Sequence, residues 1–250
     1  MNQVNNQEKS IYLLGAVTAL IALGGIMLDV VIGTITGGNL SALPQTAIER
    51  FEQLHTSPMF GLYNLDLLNI INQIIVLPSY FALYSAHRAN GKAYAELAFI
   101  IFLAGTIIFV ATNTALPMLE LSNKYFIASE GQKTLLAAAG EAMLARGAHG
   151  SLGVFIGFML PTLASVMMSV VMLNGKVFGK ITSWLGIIGN SLLLVYIILV
   201  TFIPAAKDIA TALAMPGGLM AMAWMILFTI VLFKLGKHSP PNQQDSANEK

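Results

Sequence analysis

The sequence predicts an all-α, polytopic membrane protein, a bundle of six transmembrane helices with two long outer loops that contain short amphipathic helices. Three observations predict it. First, 56% of the 250 residues are hydrophobic and only 10% are charged, with a mean hydropathy of +0.74, whereas roughly one-quarter of a soluble domain is charged. A soluble core could not absorb so much Leu, Ile, Val, Phe and Met and still leave enough polar residues to cover its surface. Second, six stretches reach the roughly 20 residues that a helix needs to cross a hydrocarbon core about 30 Å thick, where a helix satisfies its own backbone. Third, Lys and Arg segregate to one side of these stretches.

The first span, 11–36, has an apolar run too long for a signal-peptide h-region and no Ala-x-Ala-like site after it, so it is read as retained. It carries Gly15, Thr18, Ala22, Gly25, Asp29 and Gly33 at spacings of three and four. Small residues in that register let helices approach in lipid, so Asp29 should face protein or a cavity. The loop 37–60 follows, in which Ile48, Phe51 and Leu54 recur at helical spacing.

The second span, 61–86, opens "GLYNLDLLNIINQIIVLPSY". Asp66, Asn69, Gln73 and Tyr80 lie within roughly 60° of one another at 100° per residue, one inward stripe. Asn64 and Asn72 fall off the stripe, and Asn72 is expected to bond a neighbouring helix. Pro78 should free a backbone carbonyl and kink the span.

A short turn, "HRANGK", leads to the third span, 93–116, which Thr112 and Asn113 close. In the outer loop 117–148, Ser129 stands three residues before Gln132, the spacing of a capping box. The fourth span, 149–173, begins at His149 and carries Gly150, Gly153, Gly157, Pro161 and Ala164 on one face. After "NGKVFGK" the fifth span, 181–203, continues a stripe of Gly179, Ser183, Gly186 and Asn190, and the sixth runs 214–235. Residues 1–237 thus form a single domain, and the polar, Pro-containing 238–250 are expected to be a disordered tail.

Lys9, Arg88, Lys92, Lys176, Lys180, Lys234 and Lys237 share one side, whereas Arg50, Lys124, Lys133, Arg146 and Lys207 are diluted over long loops on the other. The rule that short basic loops stay inside places both termini in the cytoplasm. Asp29, Asp66, Asn69 and Asn113 then fall in one outer-leaflet layer, with Gln73 a turn deeper and Glu141, Arg146 and His149 at the mouth. A charge on an isolated helix at mid-bilayer costs about 2.5–3.5 kcal/mol even on the mildest scale, so these carboxylates need partners, water or protons. The layer predicts an outward-facing polar pocket lined by those eight residues.

Other classes are excluded or lack a motif. A net charge of +1 with no basic run gives nucleic acid no footprint. With no cysteine there is no disulfide, thiolate metal site or Cys nucleophile. The four histidines, at 55, 87, 149 and 238, are isolated, and there is no phosphate loop, nucleophile elbow or dinucleotide fingerprint. No cofactor and no local metal motif are predicted; the expected partners are membrane lipids and a small ligand or ion.

Three blocks, "NTALPMLELSNKYFIAS", "LLAAAGEAMLARG" and "SVVMLNGKVFGKITSWLGIIGN", carry a resemblance. Over residues 113–190 the chain resembles a bacterial membrane family known as domain of unknown function 4386. The resemblance implies a multi-pass protein of a bacterial cytoplasmic membrane and supplies no catalytic residue. It matches Asn113, Pro117, Leu121, Ser122, Tyr125, Gly140 and Glu141 to the family pattern, which directs attention to the second outer loop.

Three functions fit these residues. In the first, the pocket binds or conducts a small ligand, its carboxylates drawing a cation or pairing with Arg146 and its amides orienting the ligand. In the second, Asp29, Asp66 and His149 act on a lipid-derived substrate, with or without a metal. In the third, the polar residues only lock helices together, and a dry, fully paired layer would favour that reading.

Overall fold

A computed structural model of the chain describes residues 6–35, 44–89 and 91–237. The proposed tail, 238–250, lies outside the described residues. Eleven helices follow in order among them: α1 (Asn6–Ile35), α2 (Ala47–Thr56), α3 (Pro58–Tyr63), α4 (Leu67–Ile75), α5 (Leu77–Ala86), α6 (Lys92–Thr112), α7 (Ala115–Ile127), α8 (Glu130–Gly147), α9 (Phe155–Asn174), α10 (Lys180–Phe202) and α11 (Lys207–Lys237), the last after a 3-10 turn at Pro204–Ala206. Six stretches are long and apolar enough to cross a membrane: α1, the α4–α5 pair, α6 with its extension α7, α9, α10 and α11.

These spans close a ring in which α1 packs on α11, α11 on α10, α10 on α9, α9 on α6, α6 on α5, and α5 back on α1. Small residues make the ring tight. Ala16, Ala19, Ala82, Ala95, Ala98 and Ala164 are completely buried, while Leu20, Leu28, Ile100, Ile107, Ile188 and Ile198 project outward and exposed, the distribution expected where lipid replaces water. At α6–α9 the backbones nearly touch: a Cβ on Gly157 would stand 2.9 Å from the Cα of Phe109, and one on Gly105 would stand 2.8 Å from the Cβ of Leu160. The aromatic and thioether side chains of Phe102, Trp224, Phe228, Met168 and Met172 fill the remaining core.

The connections at one end bear the chain's described termini, and those at the other form a helical cap. In the cap, α2, α3, α7 and α8 enclose a core of their own from Ala47, Phe51, Leu54, Leu62, Leu65, Ala115, Met118 and Leu144. Both outer loops are therefore helical, as their periodicity predicts, but they bury their apolar faces on one another. Phe51 and Leu54 point into this core, whereas Ile48 of the same predicted stripe is 41% exposed. Thr46 with Glu49, and Ser129 with Gln132, close complete capping boxes at α2 and α8, which satisfies helix N–H groups that otherwise lack a partner.

The predicted span boundaries shift by several residues, the first starting at Asn6, the third running on through α7 to Ile127 and the sixth starting at Asp208, and two further shifts have a visible reason. The second span starts at Leu67 because residues 61–63 belong to α3 and the chain reverses its backbone twist at Asp66. The fourth starts at Phe155, since turns occupy 149–154 and Gly150 adopts φ 79°. Asp66 and His149 consequently lie in the junction between cap and bundle, outside the spanning helices. Pro78 does interrupt its span: α4 ends at Ile75, and α5 restarts with the proline in its first turn, where its missing N–H costs nothing.

Candidate functional site

Asp66 is the only non-glycine residue with positive φ among the described residues, at φ 63° and ψ 21°. Asp enters this left-handed region more readily than most side chains because its short polar group bonds locally. An Asp preceding a helix usually gives its carboxylate to the first backbone N–H groups. Asp66 makes no such cap. Its Oδ1 accepts from Asn69 Nδ2 at 2.8 Å, and its Oδ2 faces His149 Nδ1 at 3.3 Å.

His149 Nε2 lies 3.0 Å from the Tyr196 hydroxyl on α10. A continuous chain of polar contacts thus runs from Asn69 on α4 through Asp66 and His149 to α10, joining segments that are 83 and 47 residues apart in sequence. Burial works against the imidazolium, yet the Asp66 carboxylate and then the Tyr196 hydroxyl push His149 up to about 10. Burial also opposes ionisation of Asp66, but His149, Asn69 and Arg50 together hold its carboxyl below the ordinary carboxylate range. The two side chains form an ion pair.

Arg50 and Tyr63 complete the neighbourhood. Arg50, on α2 in the cap, is 6% exposed, and its Nε has no partner. Its Nη1 approaches Gln53 Oε1 at 3.5 Å, and the Asp66 charge reaches it. The Tyr63 hydroxyl donates to the Asp29 backbone carbonyl at 3.3 Å. Neither residue stands out in the sequence: Arg50 reads as one more loop cation, and Tyr63 as an interfacial aromatic. Tyr196 carries a faint signal, falling seven residues after Gly189 and so on the packing side of α10.

Beneath this junction the ring surrounds a cavity of about 300 Å³ to which all six spans contribute. Its polar lining comes from Asn69, Asn72, Gln73, Tyr80, Thr162, Ser165 and Asn190, and the rest is apolar, with Phe102, Phe109, Phe158, Trp224 and Phe228 among the walls. Among the described residues no charged side chain lines it. Gln73 Nε2 donates to Thr106 Oγ1 at 3.1 Å, Tyr80 bonds Ser165, and Asn190 returns its amide to the Gly186 carbonyl at 2.8 Å. Asn72 lies against Gly25 of α1, where any Cβ would collide with its amide. Contrary to the expected bond to a neighbouring helix, Asn72 Nδ2 is buried without a partner.

A second pocket, of about 180 Å³, lies between α9 and α10 at the cap end and is lined by His149, Tyr196, Phe155 and Val200. It shares Phe158, Thr162 and Leu193 with the central cavity. The two spaces therefore adjoin across these three side chains, with the His149–Tyr196 contact on the cap side.

The eight sequence candidates divide. Asn69 and Gln73 line the central cavity, and His149 lines the pocket above it. Asp66 is 7% exposed and meets the cavity only through Asn69. Asp29 is half-buried beside Tyr63 and lines neither space. The other three tie helices together: Asn113 donates to the Leu65 carbonyl at 2.7 Å, Glu141 accepts from the Ala47 N–H at 2.7 Å, and Arg146 donates to the Ala111 carbonyl at 2.7 Å. Arg146, exposed in the last turn of α8, makes this backbone contact in place of the expected pairing with Asp29, and no ion pair joins the two among the described residues. Among the described residues no three His, Asp or Glu side chains converge to hold a metal ion, so Asp29, Asp66 and His149 do not make a ligand set. Comparisons with family models, with curated proteins and with solved structures find no match.

Proposed function

We propose that this protein binds a small, uncharged, amphipathic molecule in the partly open cavity between its six spans, admitted past His149 and Tyr196 beneath the cap. The observation that carries this reading is the lining itself: amides and hydroxyls from four helices and no charge, set among aromatic walls. A volume of about 300 Å³ lies at the lower limit of small-molecule sites, which combine mostly apolar walls with a few directed polar groups. A bare cation fits less well, since Asp66 is already neutralised by His149.

The pairing at the junction favours a structural role for Asp66, His149, Asn113, Glu141 and Arg146, which fix the cap over the bundle. Ligand recognition falls to Asn69, Asn72, Gln73 and Asn190. Residence in a bacterial cytoplasmic membrane with both termini inside, and the family resemblance of residues 113–190, belong to the same proposal. They rest on the asymmetry of Lys and Arg and on the sequence blocks quoted above.

Trp224 lines the cavity while Trp184, the second of two tryptophans, is 51% exposed on the outer face. In a Trp184→Phe background reconstituted in lipid nanodiscs, a neutral hydroxylated nitroxide should quench Trp224 saturably. Replacing Asn69 and Gln73 by Leu removes two hydrogen-bonding side chains worth about 0.5–1.5 kcal/mol each, a loss of roughly tenfold in apparent affinity. Quenching that never saturates, or that survives Ala221→Leu filling of the cavity, defeats the proposal.

A further inference from the structure

We propose a second site, independent of the central cavity: a groove at the end bearing the termini that seats one anionic phospholipid, its acyl chain against α9 and its headgroup on Lys92 and Lys176. The groove holds about 470 Å³ between the start of α6 and the last turns of α9, and it is lined by Val166, Met167, Val170 and Val171 along its length and by Gly91, Tyr94, Asn174 and Gly175 at its mouth. Nine residues separate Val166 from Gly175, so the channel runs about 13 Å along the helix axis at 1.5 Å per residue.

Its wall faces the bilayer. Val170 is 41% exposed and Tyr94 70% exposed, and an aromatic ring that far from packing belongs at the headgroup level, where one side is apolar and the other wet. The mouth is polar and basic. Lys92 directly follows the lining residue Gly91, and Lys176 directly follows Gly175, so each cation is one residue along the chain from the mouth. Both are exposed, and no ion pair engages either among the described residues, although Glu96 stands one turn from Lys92 and Arg88 spends its charge on Glu8 at 4.0 Å.

Gly175 packs closely behind the groove: a Cβ there would stand 3.1 Å from Cδ2 and 3.2 Å from Nε2 of His87, which stacks on Phe178 at 5.3 Å between ring centroids. Basic pockets between helices at the face of an anionic leaflet select acidic headgroups, with each Lys near the surface contributing roughly a fivefold preference. An apolar slot capped by two unpaired lysines complements a molecule with a long chain and a phosphate, and a bilayer supplies that molecule at high local concentration.

The test is native mass spectrometry of the full chain released from nanodiscs of equimolar phosphatidylglycerol and phosphatidylcholine. We expect one phosphatidylglycerol retained in preference to phosphatidylcholine. Lys92→Gln with Lys176→Gln should lower that preference roughly 25-fold, and Val170→Trp, which fills the slot while leaving both lysines, should abolish retention of the single lipid. Equal retention of the two lipids by the unaltered chain overturns the site. So does a preference that survives Val170→Trp, since it would then reflect diffuse attraction to the basic end. Circular dichroism identifies variants that remain folded, and Val170→Leu with Lys92→Arg provides a conservative pair that should keep the lipid.

Discussion

Separating the two members of the Asp66–His149 pair is the sharpest perturbation of the junction between cap and bundle. At 3.3 Å the gross attraction of unit charges is about 5 kcal/mol at an effective dielectric of 20. Most of that offsets desolvation, because the side chains are only 9% and 27% exposed, so the net value should be that of a charged hydrogen bond, about 1.5–3 kcal/mol. Asp66→Asn is the appropriate partner substitution, since Asn also tolerates the left-handed backbone at φ 63°. His149→Gln removes the cation while keeping a polar side chain. A double-mutant cycle read by SDS titration in mixed micelles should return a coupling energy of about 1.5–3 kcal/mol. The pH dependence has a definite sign. His149 titrates higher folded than its unfolded value of 6.5, at about 10, so its contribution is complete below 6.5 and fades as pH rises toward 10. The folded Asp66 titrates below 3.8, so its contribution is present above that value and disappears as pH falls below it. The stability gap between the unaltered chain and His149→Gln should therefore be widest near pH 5–6 and should close toward pH 10. A coupling under about 0.5 kcal/mol, or a gap of constant width from pH 5 to pH 10, refutes the ion pair.

Two further outcomes follow from the packing and the relay. Gly157→Val, whose added carbon would meet the Phe109 backbone, should destabilise by about 1–3 kcal/mol or more, whereas Gly24→Ala, with nothing within 4 Å, should be neutral or stabilising by up to about 1 kcal/mol; equal effects in the same titration would contradict the α6–α9 contact. Tyr196→Phe removes one partner of His149 and leaves the other, so it should cost about 0.5–1.5 kcal/mol and less than His149→Gln. A larger loss from Tyr196→Phe would move the centre of the junction from Asp66 to α10.

Much of the candidate site was legible from local pattern. Asn69, Gln73 and Tyr80 recur at helical spacing, and all three line the cavity, because an amphipathic stripe must turn inward wherever lipid surrounds the rest of the helix. The same reasoning placed Asn190 and Gly157 correctly on inward faces. It failed for Arg146 and Glu141, whose depth along the chain suggested a pocket mouth but whose side chains end on the Ala111 carbonyl and the Ala47 N–H. Nothing in a one-dimensional pattern distinguishes a polar group aimed at a cavity from one aimed at a neighbouring backbone. Arg50 illustrates the converse, a residue in an acidic, loop-like stretch that the cap buries.

The sequence by itself determined the helical class, the number of apolar stretches, the cap at Ser129, and the inward stripes, all of which depend on residues within one or two turns of each other. Tertiary structure alone decided that the two loops share a core, that the ring leaves an uncharged cavity, and that Asp66 turns away from its own helix toward a histidine 83 positions later. The physical reason is range. Propensity, hydrophobic period and capping act along the chain, whereas the partner of a buried charge is chosen by which segments packing brings within about 4 Å, and a strained Asp66 backbone persists only because those distant contacts hold it.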